Sequence, residues 1–172
     1  MIPDTNQDPH WSDAFAAIDA AFADCARPDH FTNHTHCCEC SETDAFFQEH
    51  TPETLAQLLD PFETLPAAFL TEDAFRYLAP GILRFLARSG EHYKVGDVLF
   101  HLENRLDGLT ESQLSAVLNL LHLTYDRLQA EIEATPFDGA CIRRIIDAIQ
   151  RATEQGASTE TYPDASPRRP AL

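Results

Sequence analysis

The chain has 172 residues, 44% of them apolar and 23% charged, which is enough for one domain around a single core. Its 12 Lys and Arg against 28 Asp and Glu leave a formal charge of −16, a field that repels phosphate backbones and anionic bilayers and so argues against nucleic-acid binding and membrane recruitment. No run approaches the ~18 apolar residues of a membrane span, and the polar start Met1-Ile2-Pro3-Asp4 lacks the cationic and apolar parts of a secretory leader, so a cytoplasmic protein is expected.

Gly is scarce at 6 residues, alternating β-branched runs are missing, and apolar residues recur at three- and four-residue spacing. The expectation is an all-α, single compact domain of about six to seven helices, with a flexible N-terminus over 1–11, the helical domain over 12–155 and a disordered tail over 156–172. In chain order, Ser12 or Asp13 is expected to cap a first helix with the stripe Phe15, Ile18, Phe22 and Cys25, ending before Pro28. A polar loop over 29–35 leads into a short helix from His36 or Cys37 to Glu49. Thr51-Pro52-Glu53 has the cap, first-turn proline and acid that open another short helix, through Leu59. Pro61 and Pro66 bracket a connector. Thr71 then caps a helix with the stripe Phe75, Leu78, Ile82, Leu83 and Leu86, kinked at Pro80 and ended by Ser89-Gly90.

A segment from Asp97 to Asn104 presents Val98, Leu99 and Leu102. Thr110-x-x-Gln113 fits a capping box, and Leu114, Val117, Leu118, Leu121, Tyr125, Leu128 and Ile132 behind it keep helical spacing. Pro136 and Gly139 are expected to break that helix, and Ile142, Ile145, Ile146 and Ile149 to form the stripe of a last one.

The residues with the most chemistry lie between positions 30 and 44. His30, His34 and His36, Cys37, Cys38 and Cys40, and Glu39, Glu42 and Asp44 all fall there, in a chain with 8 His and 5 Cys. An odd number of cysteines packed this way suits reduced thiols or metal ligands better than a secreted disulfide framework. Cys37 and Cys40 form a C-x-x-C pair, able to close on one tetrahedral ion or on each other. On a helix, Cys37, Cys40 and Asp44 share a face, while Cys38 and Glu42 point elsewhere. A zinc site usually needs ligands from a second segment. His34 or His30 in the loop, His101 between Phe100 and Leu102, and His122 are the available imidazoles. From Pro28 to Phe75 there is no Lys or Arg while Asp and Glu are frequent, a local field that favours a cation and disfavours a reactive thiolate unless a metal or a helix N-terminus offsets it. Phosphate-binding glycine loops, a nucleophile elbow and His-Glu-x-x-His are absent.

Arg27-Pro28-x-His30-Phe31-Thr32, His36-Cys37-x-Glu39-Cys40-x-Glu42-x-Asp44, Phe75-Arg76-Tyr77-x-x-Pro80 and Leu99-Phe100-His101-Leu102, in that order, resemble an uncharacterised family of small bacterial helical proteins. The resemblance runs from Arg27 to Leu121. This chain has Thr43 where the family pattern has a histidine. The resemblance implies a shared helical fold and no named reaction.

The leading expectation is a protein that holds a divalent metal, zinc first, in a structural or binding role. Its ligands would come from His36, Cys37, Cys40, His101, His34 and Asp44. The alternatives are an acidic interaction protein that captures a basic protein partner by charge complementarity, a metal-dependent hydrolase with Glu39 or Glu42 as general base, and a thiol oxidoreductase.

Overall fold

A computed structural model describes residues 9–57, 66–88, 100–134 and 136–159, and every regular element among them is helical. In chain order these are α1 (Pro9–Phe22), α2 (Cys38–Gln48), α3 (Pro52–Leu55), α4 (Glu72–Arg88), α5 (Glu111–Ala134) and α6 (Pro136–Thr159). Short 3-10 turns lie at Ala67–Phe69 and Leu106–Gly108, and residues 100–103 are helical. The chain is an all-α single domain, and one cluster of buried side chains runs through it.

The caps of α3, α4 and α5 form where the local sequence predicts them. Thr51 Oγ1 accepts from Thr54 N while the Thr51 amide donates to Thr54 Oγ1, with Pro52 in the first turn of α3. Thr71 Oγ1 accepts from Ala74 N and starts α4. Thr110 and Gln113 close a reciprocal box at α5: the Thr110 amide donates to Gln113 Oε1 at 3.0 Å, and the Gln113 amide donates to Thr110 Oγ1 at 3.3 Å.

Apolar stripes then drive the helices together. Phe15, Ile18 and Phe22 of α1, the stripe Phe75, Leu78, Ile82, Leu83 and Leu86 of α4, Leu114, Val117 and Leu121 of α5, and Ile145, Ile146 and Ile149 of α6 are all buried, each such side chain worth roughly 1.5–3 kcal/mol of transfer free energy. α1 lies on α4 and α5, α6 on α5, and α3 on α4. Arg84 of α4 forks onto both carboxylate oxygens of Asp19 and covers the Phe15 ring at 5.3 Å, joining α4 to α1. α3 and α4 touch through backbone: a Cβ on Gly81 would sit 2.3 Å from the Pro52 carbonyl oxygen.

Several boundaries differ from those expected. α1 starts at Pro9, which places Ser12 and Asp13 inside the helix and exposed. Trp11 accounts for the earlier start, since it is buried, packs on Phe15 at 5.9 Å and lies under the Arg127 guanidinium. Pro136 opens α6 and Gly139 lies within it, because a proline at a first helical position gives up only an amide that has no partner anyway. Pro80 lies inside α4, as expected, and the helix runs on to Arg88. α6 runs to Thr159, past the expected start of the tail at 156. α3 ends at Leu55, with Ala56 as its C-cap, short of the expected Leu59. The expectations for 1–8, Pro61, Ser89-Gly90, the start of the Asp97 segment and 160–172 fall outside the described residues. No helix among the described residues is long and apolar enough to cross a membrane.

Candidate metal centre

The chain between α1 and α2 is strapped along one face of α2. Cys40, Asp44 and Gln48, four residues apart in sequence, line that face, and each engages the strap. The Thr32 hydroxyl donates to the Cys40 carbonyl at 2.7 Å. The amides of Phe31 and Thr32 donate to Asp44 Oδ1 at 2.6 and 3.0 Å. Gln48 Nε2 donates to the Asp29 carbonyl at 2.6 Å. At the far end the Arg27 guanidinium donates to the carbonyls of Gln48 and His50, supplying acceptor-hungry hydrogens and positive charge at the C-terminus of α2.

Phe31 anchors this unit to the core. Its fully buried ring packs on Phe47 of α2 and Tyr77 of α4, each at 6.0 Å, and its carbonyl accepts the Thr71 amide at 2.9 Å. Arg27 covers the same Phe31 ring at 5.1 Å.

This arrangement delivers His30 to the second oxygen of Asp44. His30 Nδ1 lies 2.9 Å from Asp44 Oδ2, with the imidazole half exposed and the carboxylate nearly enclosed. The His34 ring stacks on His30 with centroids 3.5 Å apart and 17° between planes. One nitrogen of each imidazole and one oxygen of Asp44 lie within 4.8 Å of one another, so His30, His34 and Asp44 form a group able to hold a metal ion. Burial alone would raise the Asp44 carboxyl. The hydrogen bonds from His30 and from the Thr32 and Phe31 amides outweigh it and hold the group below the ordinary aspartate value, so the carboxylate is charged and available to a cation.

The thiols form a separate feature. Cys37 is the N-cap of α2, in extended conformation, and its Sγ accepts the Cys40 amide at 3.3 Å. The Cys37 and Cys40 sulfurs share a hydrogen bond at 3.2 Å. Cys37 is exposed and Cys40 buried. The hydrogen bond to Cys37, then burial, push the Cys40 thiol up.

Of the residues singled out from sequence, His34 and Asp44 converge, together with His30, which entered only as an alternative loop imidazole. The three-member metal-ligating group found among the described residues does not include His36, Cys37, Cys40 or His101. His36 is exposed, its amide closing a turn onto the Asn33 carbonyl at 2.9 Å. His101 is half-buried with its ring edge-on to Phe100, and its carbonyl accepts Arg105. His122, Cys38, Glu39 and Glu42 are exposed. In sequence the available signal for the group was His30-x-x-x-His34 ahead of an aspartate sharing a helix face with Cys40. In comparisons with known proteins, no family model, no curated protein and no solved structure matched the chain.

Proposed function

We propose that the protein binds a divalent transition-metal ion, zinc first, through His30, His34 and Asp44, in a binding or structural capacity. The observation that carries this reading is the convergence of two imidazoles and one ionised carboxylate at the edge of the strap. Neighbouring ligands of one ion at ~2.1 Å stand about 3.0–3.4 Å apart, close to the 2.9 Å between His30 Nδ1 and Asp44 Oδ2. The ion takes the place of the hydrogen between those two atoms, and the hydrogen of the neutral His30 ring then sits on its other nitrogen. Two nitrogens and one oxygen suit zinc, which accepts mixed N/O sets without a fixed geometry. The hydrogen bonds on Asp44 Oδ1 hold the carboxylate in place, as outer partners commonly do for metal ligands. Three protein donors leave at least one coordination position for water or a partner's side chain.

The test is zinc titration of the chelator-stripped full-length protein against a chromophoric chelator. One equivalent is expected to bind, with at least tenfold weaker binding in His30→Ala/His34→Ala and unchanged binding in Cys37→Ser/Cys40→Ser. Zinc retained by the histidine variant and lost by the cysteine variant would place the ion on the thiols and overturn the reading.

A second reading is favoured by the acidic surface of the same unit. Asp29, Glu39, Glu42 and Glu49 are exposed there, with no Lys or Arg from Pro28 to Phe75. Such a face suits a basic protein segment, held by complementary charge. Association that weakens steeply with added salt supports it, and association indifferent to salt removes it.

A further inference from the structure

We infer that Cys37 and Cys40 form a dithiol–disulfide exchange site that takes a small-molecule disulfide as its oxidant, with Cys37 as the attacking sulfur and Cys40 as the resolving one. The argument rests on geometry and access, and it is independent of the metal site proposed above.

A separation of 3.2 Å between the sulfurs is about 1.2 Å longer than a disulfide bond. It is also shorter than the ~3.8 Å between two thiolates on one zinc at 2.3 Å each. The two sulfurs are thus already in contact, and an approach of about 1.2 Å between them makes the disulfide bond. The sulfurs differ in access. Cys37 is exposed at the N-cap of α2, where the Cys40 amide donates to it, while Cys40 is buried behind it. The positive end of a helix together with an amide donor stabilises negative charge on the attacking sulfur. A disulfide arriving from solvent meets Cys37 first. Cys38, although exposed, is the first residue of α2 and lies on a different face of the helix from Cys40. Position Cys37 can also change oxidation state without unwinding α2, because the helix keeps its backbone bonds from Ser41 onward; the Ser41 amide already bonds the Cys37 carbonyl at 3.1 Å.

The exchange balances without a metal or an external electron carrier. The Cys37 thiolate, its proton lost to solvent, attacks one sulfur of R–S–S–R. A Cys37–S–S–R bond forms, the original S–S bond breaks, and RS⁻ leaves to take up a proton as RSH. Cys40 then loses its proton and attacks the Cys37 sulfur, closing Cys37–Cys40 and expelling the second RSH. The protein dithiol is oxidised by two electrons and the small disulfide is reduced to two thiols.

The test exposes the reduced full-length chain, with chelator present throughout, to glutathione buffers of graded ratio. Acid quench, alkylation, intact mass and peptide mapping then report the products. The expected result is a reversible disulfide between Cys37 and Cys40. Cys40→Ser is expected to trap one glutathione on Cys37, and Cys37→Ser to form neither the disulfide nor an adduct on Cys40, with overall modification at least tenfold slower. Serine is itself a good N-cap, so Cys37→Ser retains the start of α2. Cys40→Ala accompanies Cys40→Ser, and circular dichroism establishes which of them is folded. Absence of a Cys37–Cys40 disulfide at any ratio, or glutathione trapped on Cys38 in preference to Cys37 in a folded Cys40 variant, would overturn the assignment.

Discussion

Asp44 satisfies two backbone amides and one imidazole with two oxygens, and for that reason it governs the loop as well as the candidate ion. Asp44→Ala leaves the buried Phe31 and Thr32 amides without their acceptor, at a cost of about 2–4 kcal/mol. Urea unfolding measures it, and a loss below 0.5 kcal/mol would mean that water replaces the carboxylate freely. The same bonds set an acid dependence. Because folding lowers the Asp44 pKa, its contribution is complete above the ~3.9 of an unfolded aspartate and is lost as pH falls through the lower folded value. Asp44→Asn keeps an acceptor and removes this term, so the variant is expected to lose less stability than wild type between pH 5 and the acid limit. Spacing alone puts Asp44 on the face of Cys40. It does not reveal that the amides of Phe31 and Thr32, 13 and 12 positions earlier, turn toward that face, and the His30 and His34 convergence was illegible for the same reason.

Elements whose ends depend on neighbouring residues were legible, as the caps at Thr51 and Thr71 and the box at Thr110–Gln113 show. Elements set by distant packing were not: Trp11 extends α1 backward, and a proline and glycine that read as a break open and enter α6. Gly81 is the sharpest case. A glycine inside an exposed helix costs about 1 kcal/mol relative to alanine, so propensity predicts that Gly81→Ala stabilises α4. The approach of the Pro52 carbonyl to 2.3 Å from the would-be Cβ reverses the sign, because backbone cannot step aside as a side chain can, and α3 must separate from α4 at a cost of roughly 1–3 kcal/mol. Thermal unfolding with a raised midpoint in the variant would contradict the close crossing. By contrast, Thr110→Ala removes a local cap and is expected to cost about 1 kcal/mol, measurable in the same experiment.

At the scale of the molecule, amphipathic periodicity was sufficient for the all-α single domain, because each stripe needs a partner and one shared core provides it. The strapped α2 unit belongs to that core through Phe31 and Phe47, both fully buried, and through the Thr71 amide on the Phe31 carbonyl. Binding at His30, His34 and Asp44 should therefore stabilise the whole domain as well as its edge. A ligand at about a hundred times its dissociation constant adds ~2.7 kcal/mol to folding when it binds only the native state. For a chain of this length that raises the unfolding midpoint by roughly 5–10 °C. Calorimetry of the stripped protein with and without zinc reads the shift, and His30→Ala/His34→Ala is expected to abolish it. Slower amide exchange confined to α2, with an unchanged midpoint, would show instead that the unit opens independently and that the Phe31 anchor does not couple it to the core.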